Sequence, residues 1–252
     1  MSATEKNSAA PEAWEQKFAS FTFHTLEREG RVLPYRLHRP AQLYPGIKYP
    51  LVLFFHGAGE RGADNRGQLL RFASTTPFWE KYPCFVLAPQ CPAPAGADAG
   101  ECVWVQTNFS ASSHTMKQTS PWPLRLAREL LERTLAENPV DLDRIYITGL
   151  SMGAFATWDL LQRDGGKFAA AMPVCGGADL SFAPKLSKIP VWLFHGDADP
   201  TVPVCRSRDM IAALKAAGGS PRYTEYPGVG HDAWGPAFST AEAWDWLFSH
   251  RR

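Results

Sequence analysis

Residues Gly149-Leu150-Ser151-Met152-Gly153 join an apolar, strand-like stretch (144–148) to a helix-like stretch (154–162). A strand, Gly-x-Ser-x-Gly and a helix in that order form the sequence signature of a nucleophile elbow. The turn is so tight that side chains flanking the serine collide, so glycine stands two residues before and two after it. The same geometry lifts Ser151 Oγ clear of the backbone and directs the first amides of the helix toward one point. A reactive hydroxyl beside anion donors suits acyl transfer. The pentapeptide is a modest signal alone, with about 0.1 matches expected by chance in such a chain. Its context and its partners carry the argument.

The rest of the chain alternates in the same manner. Residues 21–28 and 32–38 flank Glu29-Gly30-Arg31 and predict an antiparallel hairpin. Short runs apolar on both faces follow at 50–55, 84–88, 144–148, 169–174 and 191–194, with a last strand at 222–226. Such runs suit parallel strands covered on both sides. Helical patterns lie between them at 68–81, 124–137, 154–162 and 207–217, and a closing helix is expected at 240–249. Pro121 and Pro123 precede one of these helices, and glycine pairs follow two others. The alternation predicts a doubly wound, mostly parallel α/β sheet with ligands outside the carboxyl ends of its strands. Residues 88–123 have little regular pattern and read as a long functional loop.

Composition narrows the classes. The chain has 252 residues, 45% of them hydrophobic, which is enough for one sizeable core and one domain at 17–252. Residues 1–16 are polar and read as a frayed leader. With 26 basic and 25 acidic residues and no basic run, nothing recommends nucleic acid as a partner. No apolar stretch approaches the roughly 20 residues of a membrane helix, and the start has no signal-peptide core. Cys84, Cys91, Cys102, Cys175 and Cys205 lack metal-ligand spacing, so no metal or other cofactor is expected. Their odd number points to mostly free thiols and a cytoplasmic, reducing compartment. A Cys91–Cys102 bridge stays open, as does secretion or a periplasmic location after removal of a signal peptide.

A serine hydroxyl needs an imidazole to take its proton, and the imidazole needs a carboxylate on its other nitrogen. In this fold class the chain order is Ser, Asp or Glu, then His. Of His195, His231 and His250, only His231 lies in a glycine-rich turn after the last strand. His195 braces the turn that ends its own strand, and His250 stands near a helix end by the terminus. The acid comes from the loop after 191–194. Asp199, pinned by Pro200, reaches farther out than Asp197, whose short carboxylate suits local backbone N–H groups. Asp232 adjoins His231 and diverges from it. One oxyanion donor is the Met152 amide. The other is the Ala58 amide, or that of Gly59, in His56-Gly57-Ala58-Gly59-Glu60-Arg61-Gly62, with His56 structural.

The Leu53–Asn65 run, Ala88-Pro89-Gln90-Cys91-Pro92, Ser113-His114-Thr115-Met116, the Asp143–Gly153 run that holds the elbow, and His195-Gly196-Asp197-Ala198-Asp199 occur together and in order. Together they resemble the α/β-hydrolase esterases of the "predicted peptidase" group, relatives of phospholipase/carboxylesterases, dienelactone hydrolases and feruloyl esterases. The resemblance implies an α/β-hydrolase fold with a Ser-His-Asp triad on Ser151, Asp199 and His231 and the oxyanion donors already identified. Ala154 departs from the group, where a further glycine is common, and its methyl should only tighten packing beside the elbow.

The stretch from Cys175 to Ile189 is too short for a large cap domain, so the site is open or walled by the 88–123 loop. That loop supplies Trp104 and His114, and Trp234 follows His231. These three are the candidate substrate-binding residues, with Trp122 assigned to packing. An open aromatic cleft suits a short-chain or aryl carboxylic ester (acetyl or cinnamoyl), including one carried on a saccharide. A peptidase or thioesterase on the same triad, or a binding module that keeps the scaffold, are the alternatives.

Overall fold

In the computed structural model, residues 13–252 are described, apart from the side chains of 97 and 98. The chain runs α1 (Ala13–Lys17), β1 (Phe21–Arg28), β2 (Arg31–His38), β3 (Tyr49–Phe55), α2 (Phe78–Lys81), β4 (Phe85–Pro89) and α3 (Trp122–Glu137). It continues through β5 (Val140–Leu150), α4 (Met152–Asp164), β6 (Ala170–Val174), α5 (Ala183–Leu186) and β7 (Trp192–Gly196). Last come α6 (Cys205–Ala216), β8 (Arg222–Tyr226), α7 (Trp234–Ser239) and α8 (Ala241–Phe248). The expected hairpin forms with a two-residue turn: Glu29 and Gly30 both have positive φ, 51° and 73°, the backbone that the right-handed twist of paired strands demands.

One sheet holds all eight strands in the order β1-β2-β4-β3-β5-β6-β7-β8. The β1–β2 and β2–β4 pairs are antiparallel and every later pair is parallel. This is the doubly wound, mostly parallel sheet that the alternation predicts, and the α/β-hydrolase architecture that the resemblance implies. Every residue of β3 is buried, and its side chains alternate between two cores. Leu51, Leu53 and Phe55 join α3, α4 and α6 on one face. Val52 and Phe54 join α7 and α8 on the other. The strand order reverses around β3, where β4 lies on one side and β5 on the other. A crevice opens at the carboxyl ends of the strands at such a switch point.

Three expectations need correction. Residues 68–81 do not form one helix. They make 3-10 turns at Gly67–Leu69 and Arg71–Ser74 before the short α2. Pro77 lacks an amide and disfavours helical geometry at Thr76; the Thr76 amide bonds instead to Phe238 O at 3.1 Å. Phe72 from this broken segment stacks on Phe54 with ring centres 3.9 Å apart, so packing against the sheet outweighs local helix propensity. Residues 13–16, assigned to the leader, belong to α1, where Glu15 pairs with Arg66 and Trp14 packs on the second core; the leader reading of 1–12 lies outside the described residues. Helix α7 escaped the pattern because Gly235 and Pro236 stand inside it.

Between β6 and β7 only a 3-10 turn (Leu180–Phe182) and α5 intervene, so no large cap covers the sheet edge. Among the described residues no helix is long and apolar enough to cross a membrane. The Ala154 methyl fills a space kept open by Gly176. A Cβ on Gly176 would overlap the Ala154 Cβ and lie 3.0 Å from its carbonyl carbon. Gly176→Ala should therefore lower the melting temperature clearly, and adding Ala154→Gly should restore part of the loss. Calorimetry on the single and double variants checks both outcomes.

Candidate active site

Ser151 sits between β5 and α4 with φ 53° and ψ −122°. For a side chain with a Cβ this backbone costs on the order of 1–3 kcal/mol and persists only where the surroundings enforce it. They do so here. The Ser151 amide donates to Val174 O at 2.9 Å. A Cβ on Gly149 would lie 2.8 Å from Phe55 O, and one on Gly153 would overlap that same oxygen. The two glycines of the motif thus allow β3, β5 and the start of α4 to meet. The first bonds of α4 run from the Ala154 and Phe155 amides to Ser151 O, at 2.8 and 3.2 Å, and the Met152 amide, at the first helical position, has no intrahelical acceptor.

His231, on the loop after β8, brings Nε2 to 2.8 Å from Ser151 Oγ. Its Nδ1 lies 2.7 Å from Asp199 Oδ2, on the loop after β7. A carboxylate only accepts, so Nδ1 carries the proton and Nε2 is free to accept from the serine hydroxyl. The Asp199 side chain is fully out of solvent, and that of His231 is 20% exposed. Asp199 Oδ1 accepts from the amides of Thr201 and Val202, at 2.8 and 2.9 Å. Burial alone would raise the Asp199 pKa. Hydrogen bonds from His195, His231 and these two amides outweigh it and hold the carboxyl well below the usual range.

The other predicted partners fall elsewhere. Asp197 accepts from the Gly228 amide at 2.6 Å and ties the two loops together. Asp232 is exposed. His250 is half-buried against Trp246 at 4.6 Å and not simply solvated. His195 is fully buried, with Nδ1 2.7 Å from Ser207 Oγ.

Ala58–Glu60 forms a 3-10 turn directly after β3. Arg61 holds it by donating to Ala58 O at 2.9 Å and to Cys102 O at 3.2 Å. A Cβ on Gly57 would sit 3.4 Å from Ser151 Cβ, so this loop lies against Ser151. Ala58 is half-buried and Gly59 is exposed. His56 is wholly structural. Its Nε2 accepts from the Cys91 amide at 2.9 Å, its Nδ1–H donates to Gly57 O at 2.6 Å, and burial pushes its pKa down to about 4.

Of the three candidate substrate residues, one is overturned. Trp104 is fully buried, edge-on to Phe55 at 5.0 Å, with Nε1 donating to His56 O at 3.2 Å. It anchors the long loop in the core and offers no face to a ligand. His114 is half-buried beside Phe155 at 5.7 Å, and its Nδ1 accepts from the buried Arg206 at 2.7 Å. Burial, then Arg206, pushes its pKa down to about 4. Trp234 opens α7 and stands edge-on to His231 with ring centres 5.3 Å apart. The loop carrying His114 is tethered as well by Arg206 to Asn108 O at 3.1 Å and by the Met116 amide to Asp179 at 2.9 Å. Trp122 is packing, as expected.

Cys175, His195 and Asp199 bring one donor atom each within 4.8 Å of one another, a spacing a metal could use. Both His195 nitrogens and both Asp199 oxygens already make hydrogen bonds, so this set is committed to holding the acid. All five cysteines are free thiols, Cys91 and Cys102 included. A cavity of about 820 Å³ lined by His38, Tyr44, Tyr49 and Trp79 opens at the amino edge of the sheet, away from Ser151.

Residues 47–244 match the model of a family described as Phospholipase/Carboxylesterase. A solved structure described as a thermostable esterase is 38% identical, with a TM-score of 0.81, over 92% of this chain and 64% of that chain. The chain thus spans just under two thirds of the length of that protein. Two proteins of Oryza sativa subsp. japonica are also similar. One, named a "Probable inactive carboxylesterase", is 25% identical over 71% of this chain and 77% of its own length. The other, named a "Probable carboxylesterase", is 23% identical over 77% of this chain and 75% of its own length.

The ionisation of the buried groups sets a pH dependence for stability. Folded His56 and His114 stay neutral down to about 4, whereas in the unfolded chain they take protons from about 6.5 downward. The unfolded state then binds more protons, so stability is full above that upper value and is lost as pH falls toward the lower one. Asp199, depressed in the folded state, adds loss of the same sign at lower pH. The melting temperature should fall steadily from pH 7 to pH 4, and a flat profile would contradict the burial of these groups. Trp104→Ala should lower stability by about 3–5 kcal/mol, as urea unfolding would report.

Proposed function

From the premise that the chain belongs to the phospholipase/carboxylesterase family, we propose that it is a serine carboxylic-ester hydrolase working through an acyl-enzyme. The observation that carries this reading is the pair of hydrogen bonds on His231, 2.8 Å to Ser151 and 2.7 Å to Asp199. They align a hydroxyl, a base and an acid drawn from three separate loops.

Each residue then has a role. Ser151 Oγ attacks the ester carbonyl carbon while its proton passes to His231 Nε2. The imidazolium that forms lies against the Asp199 carboxylate, which stabilises its charge and holds its orientation. The carbonyl oxygen, now an anion, accepts from the Met152 and Ala58 amides, with Gly59 the alternative to Ala58. Collapse of this intermediate breaks the ester C–O bond, and His231 returns its proton to the departing alcohol. Water, deprotonated by His231, repeats the sequence on the acyl-serine and releases the acid. Side chains and backbone amides supply every protein group these steps use, and water supplies the second nucleophile.

The substrate class follows from the surroundings of the triad. With only α5 and a 3-10 turn between β6 and β7, no large apolar lid stands ready for a long acyl chain. Trp234 beside the base and the tethered wall carrying His114 favour short-chain or aryl acyl groups, including those esterified to a saccharide. Amide hydrolysis must expel a far poorer leaving group, which favours an ester over a peptide. The name of the rice relative as inactive belongs to that protein; a chain that keeps all three groups in register favours turnover here.

Ser151→Ala should abolish both turnover of 4-nitrophenyl acetate and labelling by a fluorophosphonate probe, while the wild type shows both. On a panel of purified-enzyme assays, acetyl and cinnamoyl esters should outpace palmitoyl esters. Reaction with the palmitoyl esters alone would overturn the substrate class, and normal turnover by Ser151→Ala would overturn the mechanism.

A further inference from the structure

A second imidazole bears on the acid of the triad. His195 is the penultimate residue of β7 and is fully buried. Its Nε2 lies 3.0 Å from Val202 O and 3.2 Å from Asp199 Oδ2. Both atoms only accept, so Nε2 must carry the proton and share it between them. The other nitrogen, Nδ1, then has a lone pair and accepts from the Ser207 hydroxyl at 2.7 Å. Ser207, one turn into α6, therefore fixes the tautomer that makes His195 a donor.

The carboxylate is thereby fully engaged. Oδ1 takes two backbone amides, and Oδ2 takes one imidazole from His231 and a second from His195. Burial of Asp199 makes each donor matter, because a desolvated carboxylate with an unused lone pair is costly and drawn toward protonation. Donation into Oδ2 keeps the carboxyl ionised, points that oxygen at His231 Nδ1, and shares the negative charge between two rings.

Resting on the esterase reading above, we infer that His195 is a positioning residue for the reaction: it orients and holds ionised the Asp199 carboxylate that supports His231, with Ser207 setting its tautomer. Without His195 the Asp199 charge falls on His231 alone, which then keeps its proton to higher pH. The carboxylate also loses its fixed orientation. The ionisable groups around this set are few. Cys175 and the two imidazoles face Asp199, Glu225 acts on His195 through space, and Asp232, exposed, adjoins His231 in the chain.

The test compares pH–rate profiles for 4-nitrophenyl acetate hydrolysis by the full chain. His195→Ala should lower kcat about tenfold with KM changed by less than about twofold, and move the acid limb of kcat upward by about half a pH unit. His195→Gln, which can place an amide N–H where Nε2 stood, should recover most of kcat and return the limb toward its original position. Ser207→Ala should move the limb in the same direction by a smaller amount, and it decides the matter if His195→Ala does not fold. A wild-type limb in His195→Ala or, failing that, in Ser207→Ala overturns the inference, as does a fall in kcat with neither a shift nor rescue by Gln. Absence of turnover in the wild type would instead overturn the esterase reading.

Discussion

The positive φ of Ser151 is the constraint on which the rest of the site depends. A side chain there is strained, and the strain is held by contacts too close to admit a Cβ at Gly149 or Gly153. Three elements meet at that point. Strand β5 arrives, α4 departs with the Met152 amide lacking an intrahelical acceptor, and the end of β3 lies against both. The loop proposed to bind the anion and the proposed nucleophile are therefore parts of one packed joint. Loosening either glycine position would disturb the hydroxyl and its proposed amide donors together.

The imidazole and its acid come from the other side of the sheet order. Loops after β7 and β8 are neighbours because those strands pair in parallel. Asp197 fastens them through the Gly228 amide, and Asp199 spans the gap to His231. Burial works against an ionised Asp199, and four donors reverse that penalty. The polar groups of the site are thus rigid for the same reason that they are costly: out of water, each must find a partner within the protein. In the proposed reaction, a preorganised set of groups of this kind needs little rearrangement when charge develops.

The proposed substrate wall is tethered in a similar way. Arg206, buried with its guanidinium on Asn108 O and His114, holds the later part of the long loop, and Trp104 pins its middle into the core. An aromatic residue in a loop reads as a binding face or as an anchor with equal ease from the sequence, since nothing local tells which way it turns. Trp104 proved an anchor, while Trp234 stands at the base. The broken helix at 67–81 has a comparable origin: its apolar spacing suits a helix, but Pro77 and the stacking of Phe72 on Phe54 decide against it.

Much was legible before any coordinates. Strand and helix periods, the glycine spacing around Ser151 and the order Ser, Asp, His are properties of neighbouring residues, and the chain states them directly. They determined the fold class and the turn at Ser151, and they pointed to the loops after β7 and β8 for the proposed acid and base. Tertiary structure alone decided which oxygen of Asp199 meets which imidazole, that His195 donates to the same oxygen, and that Trp104 turns inward. His231 meets Asp199 across 32 positions and Ser151 across 80, and Trp104 meets His56 across 48. Contacts across such distances depend on the strand order and on the packing of one loop against the next, which no local pattern encodes.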